Sequence, residues 1–458
     1  MREIRNFLTV FLVFAALAIG ADEPAGAIYS YKHIARDGLA NFFVKAETGQ
    51  EVKVAYLGGS ITAQSGYRVQ TMDWFRKTWT HARFVEINAA IPGTGSELGA
   101  FRLAKDVLAF NPDLVFIEFA VNDYQPAKAD EHKVLCSLEG IVRQIIAANP
   151  RTDICLVYTI MNNMLDEIKG GSYPASTLAH EKVASYYGLP SINMGFDVIN
   201  LEKQGRLVMI DDAANINDVS EYASVTAMPL NKDWQIVFSK DGVHPHTSSG
   251  HIIYTQAVKS SFEKISEVGR PHEHILKPAM NADNLEKAKM IDISKYAIGE
   301  GWYDYDWDDT IISGEMKKFM PQLRYTCLPD DSVEFQFIGR AFGLFDVVGP
   351  TSGSIVCIVD EQVTAVVDRF DKYCSYYRIN SFVRYLENDG PHTVKMTVAS
   401  GLSLETKAAL LKERGTAMDD TAPYDDTCWH IGQLMLVGDI VEPVEKVKET
   451  DRGFEDEF

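Results

Sequence analysis

Between about residue 50 and residue 268 the chain alternates short apolar runs with longer segments in which apolar residues return every three or four positions. The runs are Val52–Leu57, Phe84–Asn88, Leu114–Ala120, Ile154–Ile160 and Pro190–Met194. The helical patterns between them are Val69–Thr80, Leu98–Phe110, Lys133–Ala148 and Ser176–Tyr187, with Ser249–Ser266 closing the series. Strand period alternating with helix period commits a backbone to parallel strands joined by helical crossovers. Leu114-Val115-Phe116-Ile117 is apolar on both sides, as a strand covered from above and below must be. The spacing therefore predicts a three-layer α/β/α domain with a parallel sheet over residues 28–268.

After Gly269-Arg270-Pro271 the pattern changes. Ser332–Ile338, Gly343–Val348, Ser354–Val359, Val363–Val367 and Thr393–Val398 read as strands separated by turn residues. Short strands without intervening helices predict an all-β sandwich, jelly-roll-like, over residues 275–441. Residues 203–238 fit neither period and are rich in Asp, Asn and Ser, which predicts a lid, a binding loop or an insertion with its own helix. Residues 442–458 mix acidic and basic residues with few apolar ones and read as a disordered tail.

The first residues carry Arg2 and Arg5, an apolar run from Phe7 to Ile19 and small residues around Gly20. Residues 1–21 thus read as a signal peptide, which predicts a secreted or periplasmic protein; a retained anchor is the alternative. No later stretch is long and apolar enough for stable membrane insertion. The formal charge of −20 argues against nucleic acid and anionic lipid as partners, and leaves neutral polysaccharides open. The six cysteines show no CxxC or zinc spacing. At most one or two disulfides are expected, favouring the group Cys327, Cys357, Cys374 and Cys428 over Cys136 and Cys155.

Four separated pieces fit one site at the strand ends: Gly58-Gly59-Ser60-Ile61-Thr62, Gly93, Asn122-Asp123 and Asp241-Gly242-Val243-His244-Pro245. Ser60 follows the first strand at the carboxyl edge of the sheet, where α/β folds bind ligands; alone, it would read as a helix N-cap. Gly93 follows the second strand and can present an amide with no side chain in the way. Its loop lacks the pattern of a phosphate cradle. Asn122 ends the third strand and can donate to developing negative charge, while Asp123 reads as a cap for the following helix. The three-residue spacing of Asp241 and His244 lets carboxylate and imidazole come from one turn, and His246 is a rival base. Glu118, inside an apolar strand, needs a partner when buried. Arg102 is the expected cation, and a substrate contact the alternative.

In this order the pieces resemble the signature blocks of the SGNH (GDSL-type) hydrolase superfamily, over residues of about 50 to 268. The resemblance implies a flavodoxin-like parallel sheet, with Ser60 as nucleophile, His244 as base and Asp241 as its orienting partner. It implies an oxyanion hole built from the Ser60 and Gly93 amides and the Asn122 side chain. Where GDS is commoner, this chain has Gly58-Gly59-Ser60, so the acidic residue before the serine is absent. The GGSIT, GTGS-x-x-G and F-A-V-N-D stretches are similar to those of a subset of carbohydrate esterases. The implied reaction is two-step hydrolysis of an acylated carbohydrate or small ester, needing no metal or organic cofactor. A lipase or lysophospholipase, an acyltransferase and a non-catalytic glycan-binding protein are the alternatives. Trp302, Tyr303, Tyr305 and Trp307 offer rings for sugar stacking, though aromatics in a strand-rich region more often build the core of the β domain.

Overall fold

The computed structural model describes residues 31–211, 228, 230–297, 299–329, 331–399 and 401–441. The expected signal peptide at 1–21 and disordered tail at 442–458 lie outside the described residues, as does most of the 203–238 segment between its two flanking strands. Among the described residues no helix is long and apolar enough to cross a membrane.

The apolar runs become β1 (His33–Ile34), β2 (Glu51–Gly58), β3 (Arg83–Asn88), β4 (Leu114–Glu118), β5 (Asp153–Tyr158) and β6 (Ser191–Asn193). They pair in the order β1-β6-β5-β4-β2-β3, antiparallel only at β1. Without β1, the five parallel strands follow the flavodoxin-like order, which reverses between β2 and β4. Ligands of such sheets bind outside the carboxyl ends at that reversal.

The helices are α1 (Ala40–Glu47), α2 (Ser60–Ala63), α3 (Tyr67–Thr78), α4 (Ser96–Asp106), α5 (Tyr124–Ala129), α6 (Glu131–Ala148), α7 (Leu165–Lys169), α8 (Ala175–Tyr187), α9 (Gly195–Lys203) and α10 (Gly250–Ile265). The α6 helix shows why these segments fold locally. Asp130 caps it by accepting from the Lys133 amide, and Val134, Leu138, Ile141, Val142 and Ile145 form its buried stripe. Alternation along β4 separates two cores. Leu114 and Phe116 face α1, α3, α9 and α10, whereas Val115, Ile117 and Phe119 face α4, α6 and α8. Part of the segment expected to be irregular is regular: β7 (Leu207–Ile210) and β8 (Ile236–Ser239) form a separate parallel pair.

The second half is an antiparallel sheet of β9 (Ala288–Asp292), β10 (Tyr303–Asp304), β11 (Arg324–Thr326), β12 (Ser332–Val348), β13 (Ser354–Val359), β14 (Gln362–Asp368), β15 (Arg378–Val398) and β16 (Trp429–Val441). It matches the expected all-β sandwich class. The two segments read as separate strands, Ser332–Ile338 and Gly343–Val348, are one 17-residue strand with a register shift between Gly339 and Ala341. That bulge changes which side chains point inward. Val333, Phe335 and Phe337 share a core with Phe342 and Leu344, while Ala341, Phe345 and Val347 turn toward α4 and α6. The core of the first half thus continues into the second. Of the four aromatics singled out, Trp302 is buried in the β core, Tyr303 is exposed, and Tyr305 and Trp307 pack partly buried beside the shared core.

One disulfide, Cys327–Cys428, joins the ends of the paired strands β11 and β16, within the group expected to hold any bridge. Cys136, Cys155, Cys357 and Cys374 are free and buried.

Candidate active site

The site lies at the β2/β4 reversal. β2 ends at Gly58, Gly59 is extended, and Ser60 opens the single-turn helix α2. A Cβ at Gly59 would lie 2.0 Å from Asn122 Oδ1, so the close approach of the Asn122 side chain to the Ser60 turn requires glycine there.

The histidine comes from the loop after β8. Asp241 Oδ1 accepts from the amides of Val243 (2.9 Å) and His244 (2.8 Å), which folds the four residues into one turn. Asp241 Oδ2 then lies 2.7 Å from His244 Nδ1. His244 Nε2 lies 2.8 Å from Ser60 Oγ. Of the two histidines this loop offers, His244 makes the bond to Ser60. The loop is fixed from outside as well: Ser239 Oγ accepts from the Gly242 amide at 2.7 Å, and Gly242 O accepts from the Asn162 amide at 2.7 Å.

Partial burial works against ionisation of Asp241, but the bonds from the His244 ring and from two backbone amides outweigh it and hold the carboxyl below its usual range. An ionised Asp241 keeps a proton on Nδ1 and leaves Nε2 free to accept. In such a line the imidazole can take the Ser60 proton, and the carboxylate stabilises the imidazolium that results.

The Gly93 loop is tied at both ends. Ile91 N–H donates to Gly58 O at 3.1 Å, and Ser96 N–H donates to Asp123 Oδ1 at 2.9 Å. Gly93 has φ +74°, a left-handed conformation that favours glycine, and a Cβ there would meet no atom within 4 Å. Asp123 precedes α5, but its side chain makes no cap bond to that helix. Its carboxylate instead spans from Ser96 to His180 Nε2, 2.9 Å away, in a buried pair. It therefore links the Gly93 loop, the end of β4 and α8.

Glu118 departs from expectation. Its partners are hydroxyls: Thr159 Oγ1 donates to it at 2.6 Å and Thr62 Oγ1 at 2.8 Å. Arg102 lies on α4, across the sheet, and bonds Asp106 (3.1 Å) and the Ala89 carbonyl. The faces explain the error. Glu118 continues the Leu114 and Phe116 side of β4, whereas α4 covers the other side. Complete burial pushes the Glu118 carboxyl up to about 7, against the pull of the bonds from Thr159, Thr62 and the Gly59 amide.

Residues 56–247 match the model of the GDSL-like lipase/acylhydrolase family. That stretch contains all four pieces of the candidate site. No curated protein matches the sequence. Among solved structures, the whole chain is similar to a two-domain esterase active on acetylated mannans. With mannopentaose bound, that structure has 19% identity and a TM-score of 0.66, covering 90% of this chain and 99% of its own. Without the oligosaccharide the identity is 20%, with the same TM-score and coverage. An acetyl xylan esterase covers 46% of this chain and 99% of its own at 17% identity and a TM-score of 0.34. At these identities the likeness speaks for the fold, and the mannan esterase shares it through both halves.

Three supports of the site carry no mark in the sequence. His180 holds Asp123, and Gln64 and His251 brace the turn between α2 and α3. Burial first, then the nearby charges of His244, Arg68 and His246, push His251 down to about 3. A neutral ring is what its contacts need: Nδ1 accepts from the Tyr67 amide at 3.1 Å while Nε2 faces Gln64 Oε1 at 3.1 Å. Polar residues on buried helix faces would have been the only signal.

Proposed function

We propose that the protein is a secreted serine ester hydrolase that removes acyl groups, acetyl foremost, from a carbohydrate. The observation that carries this reading is the unbroken line Asp241 Oδ2 to His244 Nδ1 and His244 Nε2 to Ser60 Oγ, at 2.7 and 2.8 Å. In the proposed reaction Ser60 Oγ attacks the acyl carbon while His244 takes its proton. The alcohol of the sugar departs with that proton. Water, activated by His244, then releases the carboxylic acid and restores the serine. The Ser60 and Gly93 amides and the Asn122 amide group form the oxyanion hole for both tetrahedral intermediates. The lone disulfide suits export into an oxidising compartment. Likeness to an esterase of acetylated mannans, extending over the β half, favours an acetylated polysaccharide over a lipid ester.

The test is release of acetate from acetylated mannans and xylans, run beside short- and long-chain synthetic esters. Acetate release with no long-chain activity is expected, and Ser60→Ala is expected to lose turnover while keeping its unfolding midpoint. Preference for long acyl chains would transfer the reading to a lipase. Full activity in Ser60→Ala would remove Ser60 from the mechanism.

A further inference from the structure

Away from the Ser60 line, α6 meets the segment that enters the β half. His132 and Cys136 are one turn apart on α6, and Asp283 reaches them from residues 281–284 of that segment. Cys136 Sγ lies 3.4 Å from His132 Nε2 and 3.4 Å from Asp283 Oδ1. His132 Nε2 lies 3.1 Å from the same Oδ1. Among the described residues this is the one group of three His, Cys, Asp or Glu side chains whose ligand atoms converge.

We infer that His132, Cys136 and Asp283 form a transition-metal site of the Zn²⁺ class that fastens the first domain to the entry of the β half. Tetrahedral zinc with bonds of about 2.3 Å to sulfur and about 2.0 Å to nitrogen and oxygen holds its ligand atoms roughly 3.3 to 3.6 Å apart. The three observed separations are within a few tenths of an ångström of that triangle. The donor set selects among metals, since a thiolate with an imidazole suits zinc and its neighbours and not Ca²⁺ or Mg²⁺. The His132 side chain is about half exposed, so a fourth position can be filled by water. The segment carrying Asp283 is already shaped. Arg340, at the β12 bulge, donates to the carbonyls of Asp283 and Asn284, and Glu139 accepts from the amides of Met280 (2.5 Å) and Asn281 (3.0 Å). The ligands therefore need little reorganisation. On binding, the metal replaces the Cys136 thiol proton, which passes to solvent, and the neutral His132 ring binds through Nε2 with its proton carried on Nδ1. The site takes no part in ester chemistry.

Full-length protein stripped with a chelator and titrated with Co²⁺ tests this. One Co²⁺ per chain with a thiolate-to-metal charge-transfer band is expected, displaced by Zn²⁺, and Zn²⁺ should raise the unfolding midpoint. Cys136→Ser should lose the band. His132→Gln, at an exposed position that endangers no core, should weaken binding at least to the roughly hundredfold level known for loss of outer-shell partners. Absence of the band in the unmodified protein, its persistence in Cys136→Ser, or an equal Zn²⁺ effect on the midpoint in all three proteins would overturn the inference.

Discussion

Asn122 packs against the backbone of Gly59, so its amide is held beside Ser60 before any substrate arrives. Donors fixed in advance cost no reorganisation when charge appears, and loss of one costs roughly 10²–10³ in kcat. Asn122→Ala should therefore lower kcat by about that factor with KM little changed, read from initial rates on a soluble acetyl ester. A loss below about tenfold would place the oxyanion elsewhere. Glu118 makes a separate prediction. Its ordinary value is 4.5 and its folded value about 7, so between those two the native state holds a proton that the unfolded chain has released. Stability must then fall as pH rises across that window and level off above it. Glu118→Gln removes the titrating group, and denaturant midpoints taken through the window should lose this component of the slope. An unchanged slope would mean that Glu118 is ionised throughout.

Elements differ in how much of themselves the sequence displays. β2 and β4 are legible because both are mainly apolar runs and end in residues with evident chemistry. The Asp241–His244 turn could be read because its whole geometry lies within four residues. The partner of Glu118 could not, since a strand apolar on both sides does not reveal which face looks at which helix. The sequence divides β12 in two because Gly339-Arg340 resembles a turn, whereas the register shift there bends a single strand and redirects its side chains. The pairing of Cys327 with Cys428 needed the β11–β16 ladder, which joins residues 101 positions apart. A closed loop of that length restricts the unfolded chain strongly, and removing such a bridge typically costs about 2–5 kcal/mol. Mild reduction should lower the unfolding midpoint of the β half accordingly, followed by near-ultraviolet circular dichroism. No change on verified reduction would show that the bridge adds nothing to the ladder.

At the scale of the whole molecule, the core does not stop where the sequence changes character. Leu98, Phe101, Leu138 and Ile141 from α4 and α6 belong to the same buried cluster as Leu285, Ala341, Phe345, Met435 and Val437. Polar ties run alongside it: Arg143 Nε bonds Glu286 at 2.7 Å, Gln144 bonds Leu285 O at 2.9 Å, and Tyr385 OH bonds Glu97 at 2.8 Å. Glu97 lies on the first turn of α4, directly after the Gly93 loop, so the β half braces the helix that carries one wall of the site. An apolar face that a partner domain covers becomes an aggregation surface when the partner is removed. A chain ending near residue 274 should therefore bind an apolar dye and self-associate, unlike the full-length protein, as read by fluorescence and light scattering. It should also lose turnover although Ser60, His244, Asp241, Gly93 and Asn122 are all retained. A monomeric, fully active fragment would mean that α4 and its loop hold their positions unaided, and that the two halves are joined without supporting one another.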